Sequence, residues 1–349
     1  MAAAAIDTAW NRAPTDARIG RAGPRGRRLP AGPLLPARPA GVRLPGMSGP
    51  RRIEAWLPEG VAGPALGDLP DEVVLHEIPR RGELPADLRR VEFLVPPDGS
   101  RRVLGALPAL RKLRVVQSLS AGIEWLLPAV PGGVTVCSAR GARDAAVAEW
   151  VVAAVLAAAK RLPELHEAQR ERRWRPLFLD DVAGRRALIV GHGSIGRAVE
   201  PRLVALGMEV QGVARRARDG VAGVEELPGL LPAADYVIVL APHTPETEGL
   251  VDPGAMRDGA VLVNASRGAL VDTQALLEHA GRIRAVLDVV DPEPLPGDHP
   301  LWSAPGVTIT SHSAGDSPGA ERRARELVGA QLRRHAAGEP LVNAVTGGY

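Results

Sequence analysis

The chain has 349 residues, 45% of them hydrophobic and 24% charged, which is enough for two domains and a sizeable core. A single cysteine excludes a disulfide framework and a thiolate zinc cluster, so no metal is expected. No stretch reaches the roughly 18 to 20 uninterrupted apolar residues of a membrane span; the longest, Ala145 to Ala159, contains Glu149.

A basic balance can mark a nucleic-acid partner, but here the charge sits at one end. Residues 1–46 carry 8 Arg against 2 Asp, a net +6 in a chain of net +3, which leaves residues 47–349 at −3. Only Lys112 and Lys160 are lysines among the 43 basic residues, a compositional arginine bias that does not call for nucleic acid. Ala, Arg, Pro and Gly make up 32 of the first 46 residues, too few large apolar groups to offset the entropy of ordering. Seven prolines also argue against an amphipathic transit helix. Residues 1–46 are read as a disordered leader or a mis-annotated start, with Met47 as the first residue.

From Met47 the chain is patterned. Strands are predicted at Arg52–Leu57, Glu72–Ile78 and Val91–Val95, a helix at Leu104–Leu113, and further strands at Leu113–Ser118 and Val134–Ser138. Cys137 reads as a small buried hydrophobe. Asp144 is placed as the cap of a long apolar helix, Ala145–Lys160, buried along most of its length.

The strongest local signal follows. Arg186–Val190 is a continuous apolar strand, Gly191-His192-Gly193-Ser194-Ile195-Gly196 is a G-x-G-x-x-G turn, a helix runs to about Leu206, and Met208–Ala214 is the next strand. In that unit Gly191 permits the turn, Gly193 lets backbone approach a pyrophosphate, and Gly196 lets the helix pack on the strand. The helix N-terminus offers free N–H groups and a positive dipole end to phosphates. An NAD site would carry an acid at the end of the second strand, whereas Ala214-Arg215-Arg216 stands here. Arg215 and Arg216 suit a 2′-phosphate, so NADP(H) is favoured, with NAD(H) as the other candidate.

The alternation continues with strands at Ala234–Leu240, Ala260–Asn264, Arg284–Val289 and Val307–Thr310, and short helices at Pro253–Arg257 and Thr273–His279. Doubly wound sheets bind ligands at the carboxyl ends of their strands, where Pro242, Asn264, Ser266, Arg267, Asp288, Glu293 and His312 fall. Three of these make chemical sense together. His312 suits a proton donor to an alkoxide formed by hydride transfer at neutral pH. Glu293 suits the carboxylate that fixes such a histidine's tautomer and favours its cationic form. Arg267 suits a clamp on a substrate carboxylate that polarises the neighbouring keto oxygen.

These residues resemble the D-isomer-specific 2-hydroxyacid dehydrogenases from about Arg111 to Tyr349, with features of the NADPH-preferring glyoxylate/hydroxypyruvate reductases. Ser118-Leu-Ser-Ala-Gly-Ile-Glu124 looks like the family's substrate loop, which places Ser120, Ala121 and Gly122 at the substrate carboxylate. Val147-Ala-Glu149 resembles the opening of the family's interdomain helix, and Pro242–Thr247 the loop on the adenosine side. Asn264-Ala265-Ser266-Arg267-Gly268 carries the catalytic arginine, Asp288 to Pro296 a cofactor-facing Asp288 and the catalytic Glu293, and Ser311–Gly315 the acid/base His312. His-Pro-Leu-Trp302 resembles a subgroup with Trp302 near the substrate. Departures are Ser311 where the family usually has proline, and His192 where an aromatic ring is common.

The resemblance implies an α/β fold of two Rossmann-like, doubly wound parallel-sheet domains. The substrate-binding domain, 47–146 and 319–349, would be split around a dinucleotide-binding domain, 147–318, with the active site in the cleft. It also implies a homodimer. The Arg-rich helix Glu321–Arg334 reads as a solvated face with Glu partners, and His76, His166, His279 and His335 as surface residues.

The expected activity is NAD(P)-dependent interconversion of a small 2-keto acid and a D-2-hydroxy acid, with glyoxylate or hydroxypyruvate leading, in the cytoplasm. Two alternatives stand beside it. One is the same fold acting on phosphoglycerate, formate or phosphite; phosphoglycerate enzymes usually carry an extra regulatory domain, for which no room is read after Tyr349. The other is a non-catalytic NAD(H)-sensing corepressor, which would tend to lack one of Arg267, Glu293 and His312.

Overall fold

The computed structural model describes residues 52–345. The leader at 1–46 lies outside them. Twelve strands of the described residues form two parallel sheets. β1 (Ile53–Pro58), β2 (Val73–Ile78), β3 (Phe93–Leu94), β4 (Val115–Gln117) and β5 (Thr135–Cys137) build the first, in the order β2-β1-β3-β4-β5. β6 (Arg186–Val190), β7 (Glu209–Ala214), β8 (Val221–Gly223), β9 (Tyr236–Val239), β10 (Val261–Asn264), β11 (Arg284–Leu287) and β12 (Val307–Ile309) build the second, in the order β12-β11-β10-β9-β6-β7-β8. Both are doubly wound α/β sheets, as expected. The direction of winding reverses between β1 and β3 in one sheet and between β6 and β9 in the other, the crevice where such folds hold ligands.

The helices are α1 (Arg101–Ala106), α2 (Asp144–Ala159), α3 (Leu162–Arg170), α4 (Ser194–Ala205), α5 (Leu227–Leu230), α6 (Thr273–Glu278) and α7 (Pro318–Ala337). The central strands of the second sheet are apolar without interruption because helices cover both faces. α2 is apolar on nearly every side because it lies between layers. Its Val151 and Val155 share a core with Ile189, Ile238 and Val263 of the second sheet. α7 joins the chain's far end to the first sheet, where Val328 and Leu332 are buried among Ile53, Leu57, Phe93 and Val115.

Several boundaries move for local reasons. α2 starts at Asp144 rather than after it, and Arg143 occupies the cap position without a side-chain bond, so Asp144 acts on the first turn and accepts from Ser194 Oγ at 3.4 Å. The strand predicted at Val91–Val95 contracts to Phe93–Leu94, since a 3-10 turn at Ala86–Arg90 runs into it. The helix predicted at Leu104–Leu113 starts earlier, where Ser100 Oγ accepts from the Val103 N–H. It tightens to a 3-10 turn at Leu107–Ala109, around Pro108. α3, amphipathic but mostly polar, and the three-residue edge strand β8 lie outside the predicted elements.

On the outer face of α7, Arg322–Glu326 and Arg325–Glu321 form the expected i,i+4 pairs. His335 and His76 are not free surface residues: His335 bonds Glu92 at 2.8 Å, and His76 bonds Glu54 at 2.5 Å while stacking on Trp56 at 4.6 Å.

Candidate active site

The glycine-rich turn follows β6 at the switch point of the second sheet. Gly191 has φ 100°, and a Cβ there would run into the Leu240–Ala241 backbone at the end of β9, so only glycine closes this turn. Gly193 caps α4 with no side chain and has open space around it, which leaves the first-turn N–H groups pointing into solvent.

Beside the turn lies a cavity of about 670 Å³ lined by Arg197, Arg215, Arg216 and Arg218 together with Pro242, with no carboxylate among its lining residues. Glu246 stands near its edge. The Thr244 hydroxyl, the residue's own backbone and the charge on Arg215 hold the Glu246 carboxyl below its ordinary value. Thr247 Oγ1 is engaged within this loop, donating to Pro242 O at 2.8 Å and accepting from the Thr244 N–H at 2.7 Å.

His192, from which sequence asked little, ties this region together. The buried ring bonds Glu200 through Nε2 at 2.8 Å and faces Arg218 Nη2 through Nδ1 at 2.9 Å. Arg218 also donates to the His192 carbonyl at 2.6 Å. A guanidinium only donates, so Nδ1 accepts and the ring proton sits on Nε2 toward Glu200. Arg218 is thus fixed against the glycine-rich turn. It belongs to the same arginine run as Arg215 and Arg216, but nothing in the sequence ranked it above them.

A second cleft, of about 510 Å³, joins the turn to the loop after β4. Ala121, Gly122, Ala265, Ser266 and Arg267 line it, with Gly193, Ser194 and Ile195 on the turn side. A Cβ on Gly122 would overlap the Arg267 guanidinium, so a larger residue here would push that side chain aside. Arg267 Nη1 donates to Ser266 O at 2.7 Å and Nη2 to Glu124 Oε2 at 3.3 Å. Asn264 sets the loop, donating to Arg267 O at 2.9 Å and accepting from the Ser266 N–H and hydroxyl. Two expected substrate contacts stand apart from this cleft. The Ser120 hydroxyl donates to Asp98 at 2.6 Å, and half-exposed Trp302 donates to Pro296 O at 2.8 Å.

His312 and Glu293 meet, His312 Nδ1 to Glu293 Oε1 at 2.5 Å, with both side chains partly exposed. Arg267, Glu293 and His312 hang from the carboxyl ends of the adjacent strands β10, β11 and β12. Asp288 is buried and turned toward the His312 loop: it accepts from Thr310 Oγ1 at 2.5 Å, the Ser313 N–H at 2.9 Å and the Ala314 N–H at 2.9 Å.

Residues 152–314 match the family model for the D-isomer specific 2-hydroxyacid dehydrogenase, NAD binding domain. A glyoxylate reductase of Korarchaeum cryptofilum is 33% identical over 256 residues, 68% of this chain and 77% of that protein. The chain belongs to the D-isomer specific 2-hydroxyacid dehydrogenase family.

Within that family a D-3-phosphoglycerate dehydrogenase of Mycobacterium bovis is 33% identical over 299 residues, 81% of this chain and 56% of that protein. The chain thus spans about half the length of such relatives. A solved family member from Xanthobacter autotrophicus Py2, in complex with NADPH and MES, superposes with a TM-score of 0.73 at 29% identity, covering 85% of this chain and 98% of that one. The matched NAD-binding region contains the glycine-rich turn, Arg267, Glu293 and His312. The loop at 118–124 and the described tail at 342–345 lie outside it. Among the described residues no helix is long and apolar enough to cross a membrane.

Proposed function

We propose that this family member interconverts a small 2-keto acid and the corresponding D-2-hydroxy acid with a nicotinamide cofactor, NADP(H) in preference to NAD(H). The observation that carries the reading is the His312–Glu293 pair on strand ends next to that of Arg267, itself pressed against Gly122 of the substrate loop. The cofactor site fits a dinucleotide: a turn only glycine closes, uncapped N–H groups on α4, and an arginine-lined cavity. Arg215, Arg216 and Arg218 would hold the 2′-phosphate, and Gly191 to Gly196 the pyrophosphate. Pro242, Thr247, Ala265 and Ser266 complete the proposed cofactor contacts, and Asp288, expected to face the cofactor, instead holds the His312 loop.

When bound, the nicotinamide supplies or accepts the hydride. The chain's own groups do the rest. The amides at Ala121 and Gly122 and the Arg267 guanidinium bind the substrate carboxylate, and Arg267 polarises the keto oxygen. His312 gives its proton to the alkoxide during reduction and takes it back during oxidation, while Glu293 holds the ring and stabilises its cation.

The proposed division places the substrate-binding domain at 47–146 and 319–349 and the dinucleotide-binding domain at 147–318, a homodimer working in the cytoplasm without nucleic-acid or membrane partners. Packing of α7 on the first sheet supports the split. Glyoxylate and hydroxypyruvate are the first substrates to try. Purified protein with NADPH or NADH and a panel of 2-keto acids, followed at the nicotinamide absorbance, tests the reading. Turnover of at least one acid is expected, and none across the panel overturns it in favour of a nucleotide sensor.

A further inference from the structure

The substrate cleft has a wall that comes from the far end of the chain. Gln331 on α7, fully buried, donates to Gln117 Oε1 at 2.9 Å and to Val342 O at 2.8 Å, and accepts from the Val342 N–H at 3.0 Å. This clamp turns the tail back along the edge of the first sheet. There the Ser138 N–H donates to Asn343 O at 3.1 Å, the Val345 N–H to Val136 O at 2.8 Å, and Ala344 bridges Cys137 in antiparallel register. The tail thereby acts as a sixth strand beside β5 and brings Asn343 to the cleft.

Asn343 has φ 55°, a left-handed conformation that asparagine tolerates better than most residues. In it one amide grips Arg140 twice: Nδ2 donates to Arg140 O at 2.9 Å, and Oδ1 accepts from Arg140 Nη2 at 3.4 Å. Arg140 lines the same cleft as Gly122 and Arg267 but makes no ion pair among the described residues. Among the described residues the only acid in the cleft wall, Glu124, is paired with Arg267. The cleft therefore offers three guanidinium groups, of which Arg197 stands on the side of the glycine-rich turn and also lines the arginine-lined cavity. Arg267 is pressed against the substrate loop, and Arg140 is held by a neutral amide with its charge unmatched. A two-carbon keto acid has one carboxylate and leaves nothing for Arg140 to meet.

We infer that Arg140, positioned by Asn343 of the tail strand, reads a second anionic group at the far end of the substrate and makes this cleft selective for 2-keto acids that carry one. The inference rests on the dehydrogenase reading above and narrows its substrate class. The shared chemistry is a carboxylate or phosphate oxygen set accepting from a guanidinium fork.

The test compares wild type and Arg140→Ala with NADPH and three acids: glyoxylate, oxaloacetate as a keto diacid, and phosphohydroxypyruvate as a phosphate ester. Arg140→Ala is expected to lower kcat/KM for an acid with a distal anion roughly 10- to 100-fold, mostly in KM, and to leave glyoxylate within about twofold. Arg140→Lys keeps part of the preference and Asn343→Ala loses part of it. A loss confined to oxaloacetate assigns the distal group as carboxylate, and a loss confined to the phosphate ester assigns it as phosphate. Equal losses for glyoxylate and the distal-anion acids, or no loss, overturn the inference. Calorimetric titration of the NADP⁺-loaded protein with tartronate, 3-phosphoglycerate and glycolate separates this outcome from failure of the reaction itself. Binding of tartronate or 3-phosphoglycerate that depends on Arg140 upholds the inference even without turnover, and binding of both that is indifferent to Arg140 ends it.

Discussion

The buried carboxylate of Asp288 holds the chain on both sides of His312. His312 has φ 51°, in the left-handed region, and donates its backbone N–H to Asp288 O at 2.8 Å. The two carboxylate oxygens meanwhile take Thr310 Oγ1 and the N–H groups of Ser313 and Ala314. A non-glycine residue in this conformation persists only where its surroundings over-determine it. Asp288→Ala removes three of those bonds, and the expected result is a fall of about 10²-fold in kcat as the ring drifts from its working position. Steady-state kinetics checks this, and a kcat within about threefold of wild type would show that the loop holds itself.

His312 and Glu293 are the proposed proton donor and its holder. His312→Ala is expected to slow reduction by roughly 10²- to 10⁴-fold, the usual worth of a positioned acid, while NADPH still binds as in wild type. Glu293→Gln keeps a hydrogen-bonding partner and should cost less. The check is kcat beside a fluorescence titration of NADPH, and a His312→Ala enzyme at full rate would falsify the assignment.

Arg215 faces the arginine-lined cavity with Glu246 close by. Arg215→Ala is expected to weaken NADPH roughly 10-fold while NADH stays within about twofold, the loss of one charge-assisted contact. Equal effects on both cofactors would remove the proposed preference. Glu246→Gln should act in the opposite sense on NADPH, since it takes away an acid that competes with the phosphate for Arg215.

Cys137 is fully buried at the end of β5, and burial pushes its thiol up to about 11 from 9.0, partly offset by a bond from Gln331. The thiolate is the reactive form, so native protein should not react with Ellman's reagent at pH 8, whereas the unfolded chain releases its thiol at once. The same shift links to stability. The unfolded thiol ionises first, so the contribution of Cys137 is complete below pH 9.0 and is lost as pH rises toward about 11. Alkaline melting curves of wild type and Cys137→Ala should therefore converge through that window.

Much of this protein is legible residue by residue because its signals are local. The apolar run Arg186–Val190, the glycines at 191, 193 and 196, and the missing acid after β7 lie within one strand-turn-helix-strand unit, where spacing alone carries the physics. The strand ends bearing Arg267, Glu293 and His312 follow from period and turn residues in the same way. α3 escaped because its nine residues are mostly polar and β8 because three residues are too few to show a period, and the cap placed on Asp144 failed because the helix begins one residue sooner.

Composition and local pattern were thus enough to determine the class of fold and the glycine-rich turn and to nominate Arg267, Glu293 and His312, since each depends on neighbours a few positions away. Only the tertiary structure decided which side chains share a cleft. The contact of Arg267 with Gly122 spans 145 residues, and that of Asn343 with Arg140 spans 203. Neither leaves a periodic trace, because a contact over such a separation depends on how two sheets and a returning tail are packed.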